Sequence, residues 1–281
     1  MSVIKPNTLQ DFTMLKGKRK ICMTTAYDFH SASLAEESDI DAILVGDSAA
    51  MVMLGHNNTV QITIEEMILF SKAVTRAAKN TIIISDMPFL SYQVSDELAI
   101  LNAGKLIKET NVNAVKIEGG SEYAGLIKKL VKAGIPVMGH IGLLPQSASL
   151  SKGFKRSGQD SKEAEKIIQD AKSIEESGVF SIVLEMVPNE VSKIIMDNTK
   201  VPIIGIGSGP NCDGQILVWH DLLGFDEKKR IFLKRYANLR SNITKALNQY
   251  KKEVIENEFP KDNNSFYMNK NEYEKLLKKI K

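Results

Sequence analysis

Residues 114–120 read AVKIEGG. Ala114, Val115 and Ile117 are the side chains of a strand covered on both faces. Two charges, Lys116 and Glu118, are set into that run. Side chains two apart in a strand share a face, so both point the same way. Strand interiors rarely hold a charged pair unless it is used or paired. The pattern recurs upstream, where AILVG (42–46) runs into Asp47 and TIIIS (81–85) runs into Asp86. A carboxylate at the C-terminal end of a buried strand is badly placed for packing and well placed for chemistry. Three of them are the oxygen donors that suit one hard divalent cation.

Working outward, the same strand grammar repeats. ICMTTA (21–26), VMGHIG (137–142), SIVLEM (181–186), PIIGIG (202–207) and QILVWH (215–220) complete a set of eight strands. Six segments with helical apolar spacing lie between them, at 28–38, 63–79, 96–110, 121–133, 162–177 and 189–198. Thr63 followed by Glu66, and Ser121, signal helix starts. Gly134 and Gly178 signal stops. Eight strands alternating with helices argue for a closed (β/α)₈ TIM barrel, and 281 residues suit a fold that uses roughly 250. A doubly wound open sheet is the alternative, but its polar residues would gather at one switch point. Residues 1–266 are expected to form a single barrel domain ending in a long helix over 230–258. Residues 267–281 are expected to form a flexible basic extension. The polar stretch 147–161, SASLSKGFKRSGQDS, reads as a lid loop.

The net charge of +3 is uneven: residues 226–281 carry 15 Lys/Arg against 8 Asp/Glu, and the rest of the chain is net −4. A solvated Lys-rich terminal helix accounts for this. The segment lacks a recognised nucleic-acid motif and interleaved stacking aromatics, so no nucleic-acid partner is expected. Two cysteines build no disulfide framework. The N-terminal stretch has no apolar signal core, and no apolar run is long enough to span a membrane. A cytoplasmic location follows as the expectation.

Each candidate residue has a plainer reading beside the chemical one. Asp47 and Ser48 could cap a helix. Asp86 could organise a turn with Pro88. Lys116 and Glu118 could be a structural ion pair at the rim. Used chemically, Glu118 joins Asp47 and Asp86 on Mg²⁺, and Lys116 serves an anionic 2-oxo acid. Glu185 ends the sixth strand just before Val187 and Pro188; burial there would suit it to proton transfer, although it could instead cap the next helix. His140 reads equally as a hydrogen-bond partner behind the site or as a core histidine. The run GIGSGPNCDG (205–214) fails as a dinucleotide fingerprint, because Pro210 takes the third glycine position.

These segments carry a resemblance. TAYDFHSASLAEE, LVGDSAAMVMLGH, SDMPFLSY, VKIEGG, VMGHIGLLPQS, VLEMVP, PIIGIGSG and DGQILVWHD follow one another in this chain as they do in the ketopantoate hydroxymethyltransferase family. The resemblance spans about residues 21–225 and continues more weakly to Phe266. The chain departs from the family's pattern at Ala50, in SKGFKRSG and at Asn264-Ser265-Phe266. The resemblance implies a barrel of the phosphoenolpyruvate/pyruvate-binding type, Mg²⁺, and 5,10-methylenetetrahydrofolate as one-carbon donor to 3-methyl-2-oxobutanoate. It implies Asp47, Asp86 and Glu118 as metal residues, and Asp47, Ser48, Asp86 and Lys116 as substrate contacts. Glu185 is implied as the acid/base. A homo-oligomer of two pentamers is implied for the assembly. A Mg²⁺-dependent lyase or mutase on another 2-oxo acid is the competing activity, and a non-catalytic scaffold barrel the competing class.

Overall fold

A computed structural model describes residues 5–148, 156–226 and 231–280. Eight parallel strands close into a barrel in chain order: β1 (Ile21–Thr25), β2 (Ala42–Val45), β3 (Ile82–Asp86), β4 (Ala114–Glu118), β5 (Val137–Gly142), β6 (Ser181–Glu185), β7 (Ile203–Ile206) and β8 (Gly214–Leu217). Pairing of Ile21 with Gly214 and of Met23 with Ile216 closes the ring. The open-sheet alternative therefore does not hold. Closure leaves no unpaired strand edge.

The strands alternate between two cores. Ile21, Met23, Ala42, Leu44, Ile82, Ile84, Ala114, Met138, Val183, Ile204 and Ile216 pack inside the barrel. Ile43, Ile83, Val115, Ile117, Val137, Ile182, Leu184 and Ile203 face the surrounding helices. The helix α1 (Leu9–Thr13) lays Phe12 across the floor, where its ring meets Phe180 edge-on at 5.9 Å.

Around the outside run α2 (Phe29–Glu37), α3 (Ala49–Val52), α4 (Ile64–Ala77), α5 (Asp96–Thr110), α6 (Ala124–Lys132), α7 (Pro145–Ala148), α8 (Ser161–Glu176) and α9 (Asn189–Asn198). Thr63 starts α4 as expected: its hydroxyl accepts from Glu66 N at 3.2 Å, and Glu66 Oε2 accepts from Thr63 N at 2.8 Å. Ser121 does not cap. Its N–H is taken by Asp170 Oδ1 of α8 at 2.8 Å, and it opens a single 3₁₀ turn ahead of α6. Gly134 and Gly178 stand just past their helices at φ 84° and 97°, as stops should. Residues 149–155 of the expected lid lie outside the described residues.

The chain divides into two compact units: Met1–Leu222 with Lys228–Lys234, and Leu223–Glu227 with Arg235–Lys281. A short helix, α10 (Trp219–Leu223), follows β8. The second unit carries α11 (Leu239–Ile255) and α12 (Lys270–Ile280). The terminal helix is shorter than the expected 230–258, because Asn238 caps it by accepting from Ser241 N at 3.5 Å. The segment expected to be flexible is helical over Lys270–Ile280. Among the described residues, no helix is long and apolar enough to cross a membrane.

Candidate active site

The inward parity of each strand carries the chemistry to the C-terminal mouth. Ile82 and Ile84 point in, and so does Asp86. Ala114 points in, followed by Lys116 and Glu118. Met138 is followed by His140, and Val183 by Glu185. Apolar layers fill the lower barrel, and the next inward position on four strands is ionisable. Asp47 lies two residues beyond β2. It does not cap α3; Ser48 occupies the N-cap position and makes no side-chain cap bond. Ser48 Oγ instead sits 2.8 Å from Tyr27 Oη. Asp86, Lys116, Glu118 and His140 are all buried.

The three carboxylates share one neighbourhood. Asp47 N donates to Asp86 Oδ2 at 2.9 Å. Gln146 Nε2 donates to Asp47 Oδ2 at 2.9 Å, and Gln146 N donates to Glu118 Oε2 at 3.1 Å. Lys116 Nζ lies 3.0 Å from Asp86 Oδ1 and 3.7 Å from Glu118 Oε1. One oxygen of Asp86 and one of Glu118 are thus held by N–H groups. Of their other oxygens, both buried, Asp86 Oδ1 pairs with the Lys116 ammonium at 3.0 Å and Glu118 Oε1 accepts no hydrogen bond. Among the described residues, no three His, Cys, Asp or Glu side chains already stand in a coordinating arrangement. Lys116 and Gln146 bridge the carboxylates instead.

Electrostatics follow from burial and proximity. Burial, then Glu118 and Asp86, push the Asp47 carboxyl well above the ordinary range. Burial also raises Asp86, against the pull of Lys116. Burial would raise Glu118 too, but His140 and Lys116 outweigh it and hold it low. Burial works against the Lys116 charge, and the surrounding carboxylates reverse that and raise its pKa.

His140 joins the cluster to Glu185. Its Nδ1 is 3.5 Å from Glu118 Oε1, and its Nε2 is 3.3 Å from Glu185 Oε2. Lys116 Nζ lies 3.1 Å from Nδ1, a contact that suits a neutral ring. The flanking carboxylates favour the charged ring. They prevail over burial and Lys116 and push the pKa up to about 9. Glu185 does not cap α9, whose N-cap is Pro188. Nor is it buried among apolar groups as expected; its side chain is 16% exposed. The next residue, Met186, is held at φ 50°, an uncommon conformation for a non-glycine residue.

Asp47, Ser48, Asp86, Lys116, Glu118, His140 and Glu185 line one cavity of about 540 Å³, together with Leu143, Arg156, Ile206 and Gly207. Thr59 also lines it; its hydroxyl is buried without a hydrogen-bond partner. The glycine run contributes Gly207 to the wall, while Ser208 ties the run to β6 by donating to Leu184 O at 2.7 Å. Sequence reasoning missed Gln146, Tyr92 and Thr59. The first two lie inside quoted motifs, but no spacing marks a glutamine or tyrosine as a hydrogen-bonding centre.

Fold and site together define a (β/α)₈-barrel enzyme whose chemistry sits at the C-terminal mouth. A family model described as ketopantoate hydroxymethyltransferase matches residues 6–262. The 3-methyl-2-oxobutanoate hydroxymethyltransferase of Nitrosopumilus maritimus (strain SCM1) is 52% identical over 275 residues, covering 97% of this chain and 98% of the relative. The protein of the same name from Kosmotoga olearia is 54% identical over 252 residues, covering 89% and 94%. The chain belongs to the ketopantoate hydroxymethyltransferase family and is an enzyme of the transferase class. Among solved structures, phosphonopyruvate hydrolase in complex with oxalate and Mg²⁺ superposes with a TM-score of 0.60 at 11% identity, covering 91% of this chain and 92% of that one. A 2,3-dimethylmalate lyase of the PEP mutase/isocitrate lyase superfamily gives 0.58 at 13% identity, covering 98% and 100%. These likenesses show the fold alone.

Proposed function

We propose that the enzyme transfers a hydroxymethyl group from 5,10-methylenetetrahydrofolate to 3-methyl-2-oxobutanoate, giving 2-dehydropantoate and tetrahydrofolate, as a cytoplasmic step of pantothenate synthesis. The observation that carries this reading is the single cavity in which buried carboxylates, Lys116 and the His140–Glu185 pair converge. The names of the relatives point to the same activity.

The donor set fits a hard divalent cation. Glu118 Oε1 is a buried oxygen without a hydrogen bond, and Asp86 Oδ1 beside it is paired only with the Lys116 ammonium. With Asp47 they would hold Mg²⁺, the ion named with oxalate in the phosphonopyruvate hydrolase complex. When bound, it supplies Lewis-acid polarisation of the substrate's keto oxygen.

The chain's own groups do the rest. Lys116 offsets the charge of the 2-oxo acid. Ser48 and the unpartnered Thr59 hydroxyl face the same cavity and can hydrogen-bond substrate oxygens. Glu185 takes the proton at C3, and His140, 3.3 Å from Oε2, holds its carboxylate in place. Water attacks the donor's methylene carbon and both of its C–N bonds break, the two nitrogens taking water's protons and leaving as tetrahydrofolate. The C3 electron pair bonds to the freed one-carbon unit, and the oxygen that came from water takes the proton removed from C3 to become the hydroxyl. The reading includes a homo-oligomer, supported by the exposed Leu69 and Leu101 on the neighbouring helices α4 and α5. Sedimentation of the intact chain tests it.

Deuterium exchange at C3 of 3-methyl-2-oxobutanoate tests the chemistry. Exchange should require Mg²⁺, and Glu185→Gln should slow it about 10²–10⁴-fold with Mg²⁺ binding retained. Equal loss of exchange and Mg²⁺ binding would remove Glu185 from the proton-transfer role. Carbon–carbon cleavage of a 2-oxo acid without folate would favour the lyase or mutase reading.

A further inference from the structure

We infer that Gln146 is a positioning residue of this site: from one point on α7 it holds Asp47 and Glu118 so that both present an oxygen to a single cation. The inference rests on reading those carboxylates as cation ligands. Gln146 is 2% exposed. Its Nε2 donates to Asp47 Oδ2 at 2.9 Å and to Met87 O at 3.0 Å. Its Oε1 lies 3.0 Å from Tyr92 Oη and accepts from Gln93 Nε2 at 3.2 Å. Tyr92 Oη is also 2.9 Å from Glu118 O, so its one proton is shared between the two acceptors. Both amide hydrogens and both oxygen lone pairs of Gln146 are therefore engaged.

That saturation fixes which way the amide points. Reversed, its oxygen would face Asp47 Oδ2 and Met87 O, two acceptors with nothing to offer it. A glutamate here would meet the same two acceptors. Met or Leu would leave a buried carboxylate oxygen and a carbonyl unpaired. The backbone N–H of the same residue secures Glu118 Oε2 at 3.1 Å and leaves Oε1 without a hydrogen bond. Two carboxylates, one just beyond β2 and one at the end of β4, are thereby referenced to one residue. Groups that orient metal ligands commonly govern affinity by 10–100-fold.

The approach to α7 serves this placement. Gly142 ends β5 at φ 93°, and a Cβ there would collide with the Glu185 carbonyl. Leu143 N then donates to Glu185 O at 2.8 Å, which fixes the exit toward Pro145 and Gln146.

The test is calorimetric Mg²⁺ titration of the full chain without substrates. Gln146→Met, close in volume and shape, should weaken Mg²⁺ binding roughly 10–100-fold. In an Asp47→Asn background the same change should cost little more, because its route of action is already gone. A purely structural staple would instead lower thermal stability and leave Mg²⁺ affinity within twofold; that result overturns the inference. If Gln146→Met does not fold, Tyr92→Phe removes only the hydroxyl beside the amide oxygen. It should weaken Mg²⁺ binding in the same direction, and unchanged affinity again overturns the inference. Absence of Mg²⁺ binding by the unaltered protein would overturn the ligand reading as well.

Discussion

At the mouth of this barrel, four carboxylates face one ammonium and one imidazole. Burial and Lys116 work against a charged His140 ring, and Glu118 and Glu185, on its two nitrogens, outweigh them and raise it toward 9. The folded protein holds that proton more tightly than an ordinary histidine with a value of 6.5. The ring's contribution to stability is therefore complete below 6.5 and is lost as pH rises through about 9. In metal-free enzyme, the His140 ring resonances should titrate near pH 9 by NMR, and Mg²⁺ held by Glu118 should lower the midpoint by offsetting that carboxylate's charge. A metal-free midpoint at or below 6.5 would contradict the assignment. Sequence made Asp86, Lys116, Glu118 and Glu185 legible because strand parity is local. Gln146 was not legible, since its partners Asp47, Met87 and Tyr92 are brought to it only by barrel closure.

At the scale of elements, a polar mouth needs an apolar floor. Inward positions below the ionisable layer are Ile, Met, Leu, Val and Ala, and α1 seals them with Phe12, fully buried. Phe12→Ala should cost about 3–5 kcal/mol, read from urea unfolding with the far-UV spectrum of the folded state unchanged. A cost under about 1 kcal/mol would mean that the floor is not packed as described. The strand runs were readable because an all-parallel barrel buries both faces. Helix ends were less so. Thr63 and Glu66 form their local capping box, whereas Ser121 lost its cap role to Asp170, 49 residues away.

For the whole molecule, a cation bound only by the folded barrel must stabilise it. At 100 times its dissociation constant, Mg²⁺ should add about 2.7 kcal/mol. Thermal melts in excess Mg²⁺ and in EDTA should differ accordingly. The gap should widen as pH rises through the acid range, because the Asp47 carboxyl, raised by burial and by its neighbours, must lose its proton to serve as a ligand. Equal melting with and without Mg²⁺ would count against a site built from these carboxylates.

By itself the sequence determined the eight strands, the shared face of Lys116 and Glu118, and the acidic ends of β3, β4 and β6. All of these follow from a two-residue period and from the burial of apolar side chains. Tertiary structure alone decided that Asp47 meets Asp86 through a backbone N–H, that His140 links Glu118 to Glu185, and that one glutamine ties two carboxylates together. Those contacts join residues up to 99 positions apart, and only the closed curvature of the sheet brings them within hydrogen-bonding range.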